Sequence, residues 1–517
     1  MSGEPTQLGP FKKGLNNAAG VGEYIEDDEL FNIVNLEVDI DGSLANRPAI
    51  KKLPLTGISG ELTVIGTYRD VGGRNFLCVR NATQMAMFDA STGGISSTLV
   101  SIQSVCAIQW LDKLWVIPTN GSGGSWSFSG TSWTWLEIPA IPIGESVTIY
   151  KQRMIVVTGV SSPVNASRLW ISNQDNPALW NWTANPWVDV EPGNGEKLAC
   201  VIGMANDVLL FKEHSTYRFG WSNTPEQFEL SKISNTIGVP NFACAATYDN
   251  NNIYLMHGDM IYELFNYSFT DISSKVKLSQ ITDFTLRATE TYGLTIFRDR
   301  LFIRYYSDLY VYNIKTQAWA RWISDRKFSR LYVIPSSSVG LDFAFSHPAN
   351  SGAGAAVYFF QDDRVSGVGD TGNTGEQFDC EIVTKTYDYD APYKFKVQFW
   401  WEVLIATSGQ SYFSVNIPNS KQLNTWDEWN ALYTWDELAL NEVWGDAGTT
   451  IHDDTVDPSL GAYGRKSIRV PRKCRFRQAF YTIRTAAVKN VTADSSVRIY
   501  QLVTFMAAKE IVPQKVS

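Results

Sequence analysis

Apolar and polar positions alternate with a period of two along most of this chain, the pattern of half-buried strands. From about 60 to 365 a longer beat overlies the alternation: a short polar turn, then an apolar strand. Arg74-Asn75-Phe76-Leu77-Cys78-Val79 and Asp112-Lys113-Leu114-Trp115-Val116-Ile117 are two instances. Gln152-Arg153-Met154-Ile155-Val156-Val157, Asn206-Asp207-Val208-Leu209-Leu210-Phe211 and Asn251-Asn252-Ile253-Tyr254-Leu255-Met256 follow. Asp299-Arg300-Leu301-Phe302-Ile303 and Ala355-Ala356-Val357-Tyr358-Phe359-Phe360 complete the series. Anchored on 75, 113, 153, 207, 252, 300 and 356, the seven beats are spaced by 38 to 56 residues.

Each beat holds further strands. A second one follows the anchor, as in Met85-Ala86-Met87-Phe88, Trp126-Ser127-Phe128, Arg168-Leu169-Trp170-Ile171, Tyr217-Arg218-Phe219 and Leu309-Tyr310-Val311-Tyr312. Several beats end on a Trp-rich stretch: Trp133-Thr134-Trp135, Trp180-Asn181-Trp182 and Trp319-Ala320-Arg321-Trp322. A strand before the anchor, such as Cys106 to Trp110 or Cys244 to Tyr248, brings the number to four. Four short strands every 40 to 50 residues predict a β-propeller over 56–365. An irregular array of β-sandwiches is the competing fold.

The flanks read differently. Segment 1–55 is a small β unit: Phe31 to Ile40 alternate, Asp41-Gly42 is a short-hairpin signal, and Asn46-Arg47-Pro48 ends the return strand. After the Gly/Asp/Thr-rich linker from Gly367 to Gly375, 366–517 carries longer alternating strands. These are Phe378 to Tyr387, Tyr393 to Ile405, Ser411 to Ile417, Lys473 to Thr485 and Ser496 to Met506, and they read as a β-sandwich-like domain.

Composition sharpens this picture. The chain has 517 residues, enough for roughly three domains or one large β domain with appendages. Its 13% aromatic content, with 18 Trp and 23 Tyr, suits the two packed faces of a propeller blade. No run approaches the length of an apolar membrane helix. Met1 to Pro10 lacks an export-signal pattern. The six Cys are scattered without a CxxC pair, so they read as buried thiols of a protein made in a reducing cytosol. A net charge of −9 argues against a general nucleic-acid binder without excluding a surface past which DNA slides.

Candidate chemistry is sparse. The four His, at 214, 257, 347 and 452, show no metal-ligand spacing, and no nucleophile elbow or phosphate loop is present. No catalytic residue, metal or cofactor is expected. Local carboxylate pairs occur at Asp362-Asp363, Asp388 with Asp390, Asp427-Glu428, Asp436-Glu437 and Asp453-Asp454. A propeller can use such pairs for glycoside hydrolysis, but the repeated turn and arginine cluster of sialidase-like propellers are lacking, and solvated turns are the plainer reading.

Two surface features remain. Trp426, Trp435 and Trp444 recur every nine residues, with Trp429 beside them. Rings so concentrated point to a subunit interface; a sugar platform and an intrachain core are the alternatives. Arg465, Lys466, Arg469, Arg472, Lys473, Arg475 and Arg477 place seven cations in thirteen residues. Arg472, Lys473, Arg475 and Arg477 form a candidate basic contact face, for a partner ring or for DNA, with plain solvation as the alternative. The acidic run Glu26 to Glu29 is a candidate complement.

Several short motifs together resemble a family. Lys13-Gly14-Leu15-Asn16-Asn17, Glu26-Asp27-Asp28-Glu29, Asn32 with Asn35-Leu36-Glu37, and Asp41-Gly42-Ser43-Leu44 with Arg47-Pro48 are similar to the start of bacteriophage tail nozzle proteins, the tail tubular protein B type of short-tailed phages. Phe359-Phe360-Gln361-Asp362-Asp363, then Cys380 to Lys385 and Lys394-Phe395-Lys396, extend the likeness over most of the chain. Lys13 stands where a second Gly is common, and Ala49 where Gly usually follows Arg-Pro.

The resemblance implies a structural virion protein rather than an enzyme: a homohexameric ring at the end of the tail, made in the host cytoplasm. A platform built from 1–55 and 366–517 would dock on the adaptor or gatekeeper ring beneath the portal. The propeller would project from it, viral DNA would pass through the channel without sequence recognition, and tail fibres are a further candidate neighbour. A propeller that binds a receptor or a glycan is the alternative function.

Overall fold

The computed structural model describes the backbone of residues 4–8, 10–18, 25–48, 50–60, 62–159, 165–181, 183–249, 251–276, 278, 292–305, 308–323, 331–333, 341–346, 356–361 and 380–384. Toward the C-terminus it describes the backbone of strands 395–407, 411–417, 449–456, 465–476, 482–487 and 497–509. The chain is mainly β; the single helical element among the described residues is the 3-10 turn Pro225–Gln227. Among the described residues no helix is long and apolar enough to cross a membrane.

Contacts divide the chain into two units, Ile50–Tyr310 with Ser324–Asp362, and Met1–Ala49 with Val311–Ile323 and Asp363–Ser517. The first unit is a succession of small antiparallel sheets. The first sheet has three strands, Thr63–Arg69, Asn75–Arg80 and Met85–Asp89. The second has four: Gln103–Trp110, Lys113–Asn120, Gly123–Phe128 and Trp133–Ile138. The third comprises Ser146–Tyr150, Arg153–Val157, Arg168–Ile171 and Trp187–Asp189. The fourth comprises Leu198–Gly203, Val208–Lys212, Thr216–Trp221 and Phe228–Ser234. Ala245–Thr247, Asn252–His257, Met260–Phe265 and Ser268–Asp271 form the fifth. The run Tyr292–Phe297, Arg300–Tyr305, Asp308–Asn313 and Ala318–Ile323 follows. The last sheet runs Leu331–Val333, Leu341–Ser346, Ala356–Gln361, and then Ile50–Pro54 from the start of the unit.

Local sequence explains the hairpins. At Leu111-Asp112, Lys151-Gln152 and Asn266-Tyr267 both turn residues have positive φ, between 45° and 62°. Two-residue turns of that kind match the twist of the strands they join. The first strand of each sheet lies against the first strand of the next, and Leu331–Val333 lies against Thr63–Arg69. Apolar clusters fill the spaces between consecutive sheets. Tyr68, Phe76 and Met87 of the first pack with Trp126 and Trp133 of the second, with Phe76 and Trp133 edge to face at 5.1 Å. Ile155 and Leu169 of the third meet Leu210 and Phe219 of the fourth. Much of the aromatic excess in this unit is packing of sheet upon sheet.

Three expectations change here. Anchors 75 to 300 fall on or beside the second strand of their groups, but 356 begins the third strand of the last sheet. Its second strand is Leu341–Ser346, whose Leu-Asp-Phe-Ala-Phe-Ser alternation lacks the continuous apolar run that marked the others. The Trp180-Asn181 stretch is no strand: Trp180 is buried, its indole N–H donates to the Pro177 carbonyl at 3.0 Å, and the sheet closes on Trp187–Asp189 instead. Trp182 lies outside the described residues. Ile50–Pro54, read as part of the N-terminal segment, pairs with Ala356–Gln361, Leu53 facing Val357.

The described strands of the second unit fall in two sheets. One runs Arg465–Phe476, Phe395–Thr407, Val497–Lys509, Leu44–Asn46 and Leu36–Val38, and Glu4–Leu8 also pairs with Val497–Lys509. The other has ten strands: it continues the run Tyr292–Phe297, Arg300–Tyr305, Asp308–Asn313 and Ala318–Ile323 through Gly14–Leu15, Glu29–Val34, Cys380–Thr384, Thr482–Ala487, Ser411–Ile417 and Thr449–Val456. The Trp319 to Trp322 stretch, read as closing a beat, does so as the fourth strand after Tyr292–Phe297, Arg300–Tyr305 and Asp308–Asn313, and it also pairs with N-terminal strands. The stretch read as one strand from Lys473 to Thr485 is divided between Arg465–Phe476 and Thr482–Ala487. The expected strand from Phe31 to Ile40 is broken at Asn35, whose φ of 57° turns the chain out of one sheet and into the other. The expected turn at Asp41-Gly42 joins Leu36–Val38 to Leu44–Asn46.

Candidate functional site

The motif residues of the N-terminal segment converge in the second unit. Gly14 pairs with Trp319 at a φ of 68°, and a Cβ there would lie 2.5 Å from the Trp319 carbonyl oxygen, so only glycine allows the approach. Asn16 donates its amide to the Glu29 carboxylate at 2.6 Å, which also accepts the Glu26 N–H at 3.2 Å. Glu29 is buried, so these bonds offset the desolvation of its charge. Lys13 pairs with Asp28 at 3.2 Å and with Glu26, and these carboxylates raise its pKa. The acidic run offered as a partner's complement is thus engaged, in good part, with its own chain.

Asn35 and Arg47 form the deepest part. The Asn35 side-chain oxygen accepts from Arg47 Nε at 2.9 Å and from the Ile323 N–H at 2.8 Å. The Asn35 N–H donates to the Arg321 carbonyl at 2.8 Å, and its own carbonyl accepts the Arg47 N–H at 2.9 Å and the Cys380 thiol at 3.4 Å. Arg47 is fully buried and also donates to the Pro48 and Ile323 carbonyls. One node thus joins the N-terminal motifs to Ala318–Ile323 and to the strand Cys380–Thr384.

Of the residues singled out from sequence, Trp426, Trp429, Trp435, Trp444 and Arg477 lie outside the described residues. Arg472, Lys473 and Arg475 lie in the strand Arg465–Phe476, at one end of its sheet's order, with Arg475 opposite Val397. The carboxylate pairs are outside the described residues or, for Asp453-Asp454, in a strand described by its backbone. Among the described residues no three His, Cys, Asp or Glu side chains converge on a metal-sized site. Cys78, Cys106, Cys200, Cys244 and Cys380 are buried free thiols.

Sequence reasoning missed a cluster of ionisable groups in the first unit. Lys212 is fully buried and donates to the Glu191 carbonyl at 3.1 Å and to Asn194 Oδ1 at 2.9 Å; burial lowers its pKa. The Glu191 carboxylate accepts from Lys232 at 2.6 Å and from Tyr217 at 2.8 Å, bonds that hold it below the usual carboxylate range. Ser215 donates to Glu196. The connector Glu191-Pro-Gly-Asn-Gly-Glu196, with positive φ at Glu191, Gly193 and Gly195, is thereby clasped onto the fourth sheet. Lys212 has no open path to solvent, so the cluster fastens a loop. Its signal in the sequence was a lysine closing the apolar strand Val208–Lys212. His214 and His257, 43 residues apart, also meet edge to face at 5.7 Å.

No family model matches the chain, and no curated protein matches it. Many solved structures do. Virginiamycin B lyase from Staphylococcus aureus is 10% identical, over 60% of this chain and 98% of its own, with a TM-score of 0.41. BamB from Moraxella catarrhalis is 10% identical, over 70% of this chain and 98% of its own, with a TM-score of 0.37. YCF48 from Cyanidioschyzon merolae is 12% identical, over 60% of this chain and 98% of its own, with a TM-score of 0.38. Identities this low leave the activities in those names with those proteins.

Proposed function

We propose that this chain is a structural protein of a short-tailed phage, assembling as a homohexameric tail nozzle that docks on the adaptor ring and conducts DNA. We infer with it that residues 50–362 form a closed seven-bladed β-propeller, its last blade completed by Ile50–Pro54. The observation that carries the reading is the node around Asn35 and Arg47. The residues responsible for the resemblance bind N-terminal strands to C-terminal ones, with Glu4–Leu8 and Leu44–Asn46 both on Val497–Lys509. A platform built from both ends of the chain needs such an interlock. In this reading Trp426, Trp429, Trp435 and Trp444 serve the subunit interface, and Arg472, Lys473, Arg475 and Arg477 face a partner ring or the DNA path.

The test is the mass of the purified chain, alone and with its adaptor, by mass photometry, together with antibody labelling of phage particles. A ring of six times 57.9 kDa and label at the tail tip are expected. Trp435→Ala should weaken the ring. A monomer that persists with the adaptor, or particles without label, would overturn the proposal.

A further inference from the structure

Between the first and second sheets the packed core opens into a cleft of about 710 Å³. Its origin is the missing strand of the first sheet. Where the second sheet has a complete fourth strand, the chain from Ile95 to Val100 makes only isolated bridges, Phe88 with Ile95 and Met85 with Val100. Segment 98–103 forms one wall, the turn at Asn120 and Ser122 a second, and Trp135 with Glu137 a third. Side chains alternate along a strand, so Trp133, Trp135 and Glu137 share one face of Trp133–Ile138. Trp133 is buried, Trp135 half-buried and Glu137 exposed, so that face grades from core into cleft.

The Trp135 ring is held before any ligand arrives. It packs on Trp126 at 5.0 Å, and it lies so close over Gly124 that a Cβ there would be 2.3 Å from its edge. Its indole N–H has no acceptor among the described residues, and the side chains of Gln103, Asn120, Ser122 and Glu137 have no polar partner there either. Glu137 is the one charged residue of the lining. A fixed aromatic ring beside uncommitted amide, hydroxyl and carboxylate groups complements a ligand with an apolar face and many hydroxyls that donate and accept. An anionic ligand would meet Glu137 with no cation to offset it. A purely apolar one would strip water from the amides without replacing its hydrogen bonds.

We propose that this cleft binds a neutral oligosaccharide, with a pyranose ring on Trp135 and its hydroxyls on Asn120, Gln103 and Glu137. The inference stands whether or not the chain forms a nozzle.

The test uses the full chain on an array of neutral and acidic glycans, with calorimetric titration of whatever binds. At least one neutral glycan should bind, and Asn120→Ala and Glu137→Gln should each weaken it about tenfold. Trp135→Leu should abolish binding. If Trp135→Leu fails to fold, the other two variants decide, because Asn120 and Glu137 are exposed and their loss leaves the core intact. Absence of binding to every neutral glycan, binding confined to acidic glycans, or affinity unchanged in both Asn120→Ala and Glu137→Gln would overturn the proposal.

Discussion

Asn35 and Arg47 are joined twice: the side chains at 2.9 Å, and the Arg47 N–H to the Asn35 carbonyl at 2.9 Å. The pair lies in a buried setting where an arginine's charge depends on its acceptors. Taking Arg47 away removes a buried donor from the Asn35 side chain and from the Pro48 and Ile323 carbonyls, and a buried polar group that loses its partner costs about 1–3 kcal/mol. Arg47→Ala should destabilise the second unit by that order in urea unfolding. Asn35→Gly should cost less than Asn35→Ala by about 1 kcal/mol, since glycine accepts the positive φ without strain. Equal losses in the two Asn35 variants would show that backbone strain contributes nothing there.

Gly14 offers a comparison with Gly130. Both have positive φ, but a Cβ at Gly130 meets nothing within 4 Å, whereas at Gly14 it meets the Trp319 carbonyl oxygen. Gly130→Ala should cost about 1 kcal/mol, the strain alone. Gly14→Ala should cost clearly more and shift the amide resonances of Ala318–Ile323, because the pairing Gly14–Trp319 must separate. Equal midpoints in denaturant would contradict the close approach.

Two buried thiols predict an alkaline limit to stability. Burial pushes Cys78 and Cys244 up to about 12, from 9.0 for a free thiol. Between those values the unfolded chain loses these protons and the folded chain keeps them, so stability is full below pH 9 and falls as pH rises toward 12. Each thiol contributes a slope of about 1.4 kcal/mol per pH unit. Cys78→Ala should remove one such share from the difference between urea midpoints at pH 8 and pH 10. The native protein at pH 8 should also react slowly with a thiol reagent at both positions.

The strand Ile50–Pro54 should matter to the sheets far along the chain. Leu53 packs with Leu77 and Val79 of the first sheet and with Val357 and Phe359 of the last. Leu53→Ala should destabilise the first unit by about 2–5 kcal/mol. Leu136, exposed on the outermost strand of the second sheet, should change it by no more than about 0.5 kcal/mol when replaced by Ala. A similar small effect at Leu53 would mean that the strand is not part of the core.

The alternation of apolar and polar residues and the turn chemistry were enough to locate most strands by themselves. Pleat and turn geometry are short-range, so Lys113–Asn120 or Ser411–Ile417 can be read from a few neighbouring residues. Tertiary structure decided the partners. The sequence around Ile50–Pro54 carries no mark of its pairing with Ala356–Gln361, some 300 residues away, nor that around Glu4–Leu8 of its place on Val497–Lys509. The Asn35 break was hidden for a related reason. Alternation continues on both sides of it, and bonds with Arg47, Arg321, Ile323 and Cys380, all set by tertiary structure, hold that residue at positive φ. The cleft at Trp135 was equally invisible, because it arises where the first sheet fails to complete a strand against its neighbour. Local sequence encodes the backbone's preferences and the side to be buried; which buried sides meet depends on contacts between segments that no local pattern specifies.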